Sequence, residues 1–316
     1  MTMITRVSTK DMSREAWLER RRMSIGGSDA GALLGLNPYT SPYALWCEKT
    51  GRITPEDISD KEAVRLGNDL EQYVAERWME QTGKKVRKSN HFIYNSEYPF
   101  AHANIDRAVV GEDAGLECKT TSSWEILQQC REGNYPDTWY AQITHYMMVT
   151  GAKRWYLGVL VLGKGFYEFT IERNEAEIEA LAAAEAAFWQ RVENNTPPEL
   201  DGTEATQEAL RTVLGDSVSG QSTDLAGVGN HVTVYLSLKS RIKEMERELG
   251  EHQAIIMQYM GQAERGTYES ATVSFKSQTR KTFDRAAFEA ENGPIEDIYF
   301  NTSTTRPFKV TVKKGA

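Results

Sequence analysis

The chain has 316 residues, 40% of them hydrophobic and 26% charged, enough for one large or two smaller globular domains. It has no apolar run near the roughly 20 residues of a membrane-spanning helix and no signal-peptide core. Its three cysteines (Cys47, Cys118, Cys130) lack the spacing of a disulfide framework or a zinc site, so a cytoplasmic protein with no membrane partner is expected. The net charge of −8 does not exclude nucleic acid: residues 174–230 hold eleven acidic and two basic side chains, a net −9 that leaves +1 on the remainder, with basic clusters at Arg20–Arg22 and Lys84–Lys88.

Residues 1–10 read as a flexible leader. Ser13 can cap a helix that runs to Arg22 and leads into Met-Ser-Ile-Gly-Gly-Ser-Asp-Ala-Gly (23–31). A Gly/Ser loop beside three arginines suits a phosphate pocket, and equally an ordinary turn and helix cap. Helices are expected over 42–50 and 61–82, closed by Gly51 and Gly83, the second with Val64, Leu70, Val74 and Trp78 as its apolar stripe. Glu71 lies beside that stripe with Gly67 four residues earlier, and reads either as a half-buried carboxylate that needs a partner or a metal, or as a solvated edge.

After a strand over 91–95, the runs Asn104–Val110 and Leu116–Thr121 flank a turn of Gly, Asp and Glu and read as a hairpin. Alternation puts Glu117 and Lys119 on one face and Leu116 and Cys118 on the other, and pairing can bring Asp106 to the Glu117 face. Two carboxylates and a lysine suit divalent-metal phosphodiester hydrolysis, in which the carboxylates hold a hard cation and the lysine orients or helps deprotonate water. On these residues alone an exposed hairpin with an ordinary ion pair explains them as well.

A helix over 122–130 follows, then one capped by Asp137 that runs to Thr150. On it Gln142 is suited to hold a water or a phosphate oxygen, while Trp139 and Tyr146 read as structural. Residues 155–161 and 166–171 form a second hairpin, followed by an Ala-rich helix from Glu175 to about Val192. Residues 197–230 read as a linker. A helix over 234–261 carries Leu238, Ile242, Met245, Leu249, Ile256 and Tyr259 on a heptad-like seam interrupted by His252, which supports a coiled-coil hairpin or an oligomer contact equally. Strands are expected over 268–276 and 308–313, around a short helix over 284–291.

The order helix (Glu71), strand, strand (Asp106), strand (Glu117, Lys119), helix (Gln142), strand resembles the PD-(D/E)XK nuclease superfamily. Ile105-Asp106-Arg107, followed eleven residues later by Glu117-Cys118-Lys119, matches its core motif, with isoleucine where a proline often stands. More closely, four segments resemble the YqaJ-type viral recombinase and lambda exonuclease family: Ala16-Trp17 through Arg21 to Ser28-Asp29, Leu66 to Glu71, Asn104 to Lys119, and Ala141 to Met147. The implied fold is α/β (α+β), a restriction-endonuclease-like mixed central sheet flanked by helices, with a C-terminal coiled-coil-like helical and β extension. The expected domains are a nuclease over 1–200, an acidic, flexible linker over 201–230, and an extension for oligomer or partner contact over 231–316.

Carried over residue by residue, the resemblance implies that Asp106 bridges or binds the metals, that Glu117 binds the catalytic one with the Cys118 carbonyl completing it, and that Glu71 serves the second. It implies that Lys119 positions the nucleophilic water, that Gln142 steadies the water or the scissile phosphate, and that Arg21 and Ser28 hold a terminal 5′-phosphate. Asn104 stands where the lambda-type pocket has a serine. The cofactor would be Mg²⁺, with Mn²⁺ substituting, two ions per site. The activity would be 5′→3′ digestion of double-stranded DNA ends, leaving 3′ single strands for an annealing protein, by a trimeric or tetrameric ring. The alternatives are a structure-specific endonuclease or opposite-polarity nuclease with the same metal core, and a catalytically inactive DNA-binding scaffold.

Overall fold

The computed structural model describes residues 3–55, 57–301 and 305–311 and divides into two compact units, Met1–Gly215 and Asp216–Ala316. In the first, the elements run β1 (Ile4–Ser8), α1 (Arg14–Arg22), α2 (Gly27–Leu33), α3 (Pro42–Lys49), α4 (Glu62–Thr82), β2 (Val86–Lys88), β3 (His91–Asn95), β4 (His102–Ala103), β5 (Arg107–Val109), β6 (Ala114–Thr121), α5 (Trp124–Arg131), α6 (Asp137–Thr150), β7 (Arg154–Val161), β8 (Gly165–Glu172), α7 (Glu175–Glu193) and α8 (Glu204–Leu214).

Five strands in the order β2-β5-β6-β7-β8 form a mixed sheet. Only β6 and β7 are parallel, and α5 and α6 supply the crossover that a parallel pair needs. Helix α4 covers one face, where Ala75 and Trp78 meet Leu116 and Tyr156. Helices α6 and α7 cover the other, where Ile143, Met147 and Ile178 meet Leu157 and Val159. This is the expected helix-flanked mixed sheet. The boundaries of α4 and α6 follow from Gly83 and Gly151, which take left-handed φ values of 72° and 74° that a side chain would disfavour.

Several expectations are corrected. Residues 4–8 of the expected leader form β1, which pairs antiparallel with β3, Ile4 opposite Asn95. The strand expected over 104–110 is only β5, so Asp106 lies before it. Asp137 is the first residue of α6, and Pro136 occupies the cap. Inside the expected linker, α8 folds and packs: Thr206 Oγ1 donates to Ser41 Oγ at 2.6 Å, and Ala209 is buried against the α3 cluster.

The second unit contains α9 (Gly229–Met260), β9 (Arg265–Tyr268), β10 (Ala271–Ser274) and α10 (Arg285–Asn292). α9 is one uninterrupted helix of 32 residues, so the heptad seam does not fold back as a helical hairpin. The strand expected over 268–276 is instead the antiparallel β9–β10 hairpin. Of the strand expected over 308–313, residues 308–311 are not in a strand and the rest lies outside the described residues. Among the described residues no helix is long and apolar enough to cross a membrane.

Candidate active site

β5 pairs with β6 only at Arg107–Leu116 and Ala108–Gly115. Above that point the two strands part, and the Cys118 N–H is met instead by Asp106 Oδ2 at 3.0 Å. A side-chain carboxylate thus stands where a ladder carbonyl would, at the mouth of the fork. The alternation of β6 sends Leu116 and Cys118 toward α4 and sends Glu117 and Lys119 toward α6.

On the α6 side the polar groups close on one another. Lys119 Nζ lies 2.8 Å from Glu117 Oε1 and donates to Gln142 Oε1 at 2.8 Å. Gln142 Nε2 lies within hydrogen-bond distance of Glu117 Oε1 at 2.8 Å and of the Tyr146 hydroxyl at 2.9 Å. That hydroxyl donates to the Asn104 carbonyl at 3.1 Å. The Lys119 ammonium also sits 5.9 Å from the Trp139 ring centroid.

Burial pushes Asp106 well above the usual carboxylate range, and the neighbouring Glu117 charge adds to it. Burial works against the Lys119 charge, but the Glu117 carboxylate outweighs it and raises the ammonium's pKa. Tyr146 is raised well above its ordinary value by burial and by the charges of Glu117 and Asp106, so it remains a phenol.

Glu117 Oε2 is buried and has no hydrogen-bond partner. A buried carboxylate oxygen without a donor is costly, and a cation satisfies it. The hard oxygens of Asp106, Glu117 and the Cys118 carbonyl are a donor set that fits Mg²⁺ or Mn²⁺. Among the described residues no three His, Cys, Asp or Glu side chains stand together as a metal-holding group. Glu71, the further acidic residue, is ion-paired with Arg107, whose other terminal nitrogen donates to Gln72 Oε1 at 3.1 Å.

The N-terminal residues gather in a neighbouring pocket. Arg21 Nη2 donates to Ser28 Oγ at 2.7 Å, lies 3.8 Å from Asp29 Oδ1, and the guanidinium stacks 4.9 Å from the Trp17 ring centroid. Beneath it Lys49 Nζ binds Asp29 Oδ2 at 2.6 Å and the carbonyls of Arg21 and Ser24 at 2.8 Å each. Burial would raise Asp29, yet Lys49 and Arg21 hold it at about 2.

Ser24 Oγ is 2.8 Å from His102 Nδ1, and burial pushes His102 down to about 3. Behind them His145 bridges the Glu185 carboxylate at 2.7 Å and the His102 carbonyl at 2.8 Å, tying α6, α7 and β4. The two pockets touch through Gly27, where an added Cβ would come within 2.5 Å of Tyr146 Cε1; glycine lets α2 lie against α6.

The structure therefore brings Asp106, Glu117, Cys118, Lys119 and Gln142 into one site, and Arg21 and Ser28 into a second. Glu71 approaches the first but is held by Arg107. Asn104 departs from expectation: its amide donates to the His91 carbonyl at 3.1 Å, and only its own carbonyl reaches the Glu117–Lys119–Gln142 cluster, through Tyr146. Sequence reasoning read Tyr146 as structural and gave no role to Arg107, Asp29 or Lys49. The first was legible as a hydroxyl one turn beyond Gln142 on the same helix face. Arg107 and Asp29 each adjoin a residue already chosen. Lys49 carried no local signal, because only tertiary folding brings α3 under the loop.

Residues 16–153 match the YqaJ-like viral recombinase domain family. "Uncharacterized protein YqaJ" of Bacillus subtilis (strain 168) is 36% identical over 285 residues, covering 87% of this chain and 89% of that protein. Among solved structures, an alkaline exonuclease (LHK-Exo) from Laribacter hongkongensis is similar over 58% of this chain and 94% of its own, with 19% identity and a TM-score of 0.49. A phage-related exonuclease from Haemophilus somnus 129PT covers 57% of this chain and 99% of its own, with 10% identity and a TM-score of 0.41.

Proposed function

The chain belongs to the YqaJ-like viral recombinase domain family, and from that premise we propose that it is a Mg²⁺-dependent 5′→3′ exonuclease of double-stranded DNA ends. It would release mononucleotides and leave a 3′ single strand for an annealing protein. The observation that carries this reading is the buried Glu117 carboxylate, one oxygen held by Lys119 and Gln142 and the other without a donor, beside Asp106 at the fork of β5 and β6.

Asp106, Glu117 and the Cys118 carbonyl would hold one divalent cation and Glu71 would serve a second, which would neutralise charge at the phosphate and lower the pKa of a bound water. The chain's own residues do the positioning. Two of the three Lys119 N–H donors meet Glu117 and Gln142, and the third would hydrogen-bond and orient the attacking water or a phosphate oxygen. Gln142 fixes Lys119 and Glu117 relative to each other, and Tyr146 fixes Gln142 and the chain at Asn104. Arg21 and Ser28 receive the terminal 5′-phosphate as a charge-assisted pair of donors, with Lys49 and Asp29 bracing the loop beneath. Recognition through phosphates makes binding salt-dependent and sequence-tolerant.

Digestion of a linear duplex labelled at either the 5′ or the 3′ end, with Mg²⁺, tests the reading. The 5′ label is expected to leave at once as mononucleotide while the 3′ label stays in long strand. Early loss of the 3′ label reverses the polarity, and cutting of covalently closed circles makes the protein an endonuclease.

A further inference from the structure

We infer that α9 forms a parallel, in-register coiled coil with the α9 of a second copy of this chain. At 32 residues the helix is about 48 Å long, and none of its residues is buried in its own unit. Helices in water draw most of their stability from burying an apolar face, and this face is partly covered at Tyr235, by Phe308, while Leu238 to Tyr259 stay exposed.

Counted in heptads, Tyr235, Ile242, Leu249 and Ile256 occupy successive a positions, and each is exposed. Leu238, Met245, His252 and Tyr259 occupy the d positions, with Tyr259 94% exposed. Large apolar side chains fill every layer except that of His252, and the isoleucines at two a positions suit a parallel pair.

The flanking charges choose the partner. In a parallel pair each g residue faces the e residue five positions on in the other helix. Arg241 then faces Glu246, Glu248 faces Gln253, and Val234 faces Lys239, so one attraction forms twice and no like charges meet. An antiparallel pairing that keeps every layer sets Glu246 beside Glu246 and Glu248 beside Glu248. Among the described residues neither Arg241 nor Glu246 has an ion pair within the chain, whereas Arg247 on the outer face is satisfied by Glu251 at 2.5 Å. The Arg241–Glu246 pairing is self-complementary, which selects a second copy over an unrelated partner. This inference stands independently of the nuclease reading.

Disulfide trapping in the full-length protein tests it. Leu249→Cys places a thiol in the seam and Ser240→Cys places one on the outer face; native Cys47 and Cys130 are buried. Under mild oxidation, copies joined through residue 249 are expected in about ten-fold excess over copies joined through residue 240, from the effective concentration within a formed coil. Arg241→Glu in the Leu249→Cys background should lower that yield, and adding Glu246→Arg should restore it, which a merely unfolded helix cannot do. Equal trapping at 249 and 240, no rescue by the charge exchange, or trapping of residue 249 only onto a different protein overturns the inference.

Discussion

Arg107 holds Glu71 in an ion pair at the mouth of the candidate active site, with only 4% of the arginine side chain exposed. Asp106 lies close enough to feel the charges of Glu117 and Glu71. Arg107 therefore counters carboxylate repulsion that a bound cation would also relieve. Arg107→Met should destabilise the metal-free protein by about 3 kcal/mol. On the proposed reading it should also enlarge the gain in melting temperature from millimolar Mg²⁺ relative to wild type. Thermal melts with and without Mg²⁺ check both effects; an equal Mg²⁺ response in the two proteins removes Glu71 from the metal site.

Lys119 and Gln142 should separate by size of effect. Lys119→Met removes the group offered to the reacting atoms and should lower the duplex digestion rate by about 10² to 10⁴-fold. Gln142→Leu leaves Lys119 in place but loosens it, an effect on the order of 10 to 100-fold. Single-turnover rates on a linear duplex, with circular dichroism to confirm the fold, measure the ratio.

Arg21→Ala should abolish any preference for 5′-phosphorylated over 5′-hydroxyl ends while leaving digestion of hydroxyl ends nearly unchanged. The charge-assisted contact it removes is worth about 1.5 to 3 kcal/mol, roughly a 10 to 100-fold change in that preference. Initial rates on the two substrates decide the matter. A preference that survives moves the phosphate pocket elsewhere.

Acid should weaken the fold through His102. Its folded pKa of about 3 lies below the ordinary 6.5, because burial disfavours its charged form. The contribution is thus complete above pH 6.5 and is lost as pH falls toward 3, at about 1.4 kcal/mol per unit. His145 has the opposite sign, since Glu185 outweighs burial and raises its pKa; its contribution is present below 6.5 and fades only at higher pH. Denaturant unfolding of wild type and His102→Asn across pH 4 to 7 isolates the term. The variant, less stable at pH 7, should have the flatter profile.

The part of this molecule that the sequence made legible is the part governed by local rules. Period-two alternation placed Glu117 and Lys119 together, and helix periodicity with the glycine stops bounded α4 and α6. What it hid depends on distant partners. β1 reads as a loose leader because its ladder partners lie 83 to 91 residues away, at His91–Asn95. Helix α8 reads as linker because it lies in a Gly-, Ser-, Thr- and Asp-rich stretch and its packing surface is supplied by α3. The Asn104 side chain turns to His91 rather than toward the phosphate pocket, a choice set by a neighbouring strand and not by its own motif.

Gly27 against Tyr146 gives the two pockets a yardstick. One helix carries Ser28 and the other carries Gln142, and bare backbone on aromatic ring leaves no slack between them. On the proposed reading that spacing sets the length of the excised fragment, since a 5′-phosphate seated at Arg21 presents one particular bond to the cluster around Glu117. Gly27→Ala, which forces at least one of the helices to shift, should blur the product from uniform mononucleotides into a mixture with longer pieces, resolved by chromatography of the released fragments. A cut of constant size would then be a property of interhelical distance, with neither catalytic residue acting as the measure.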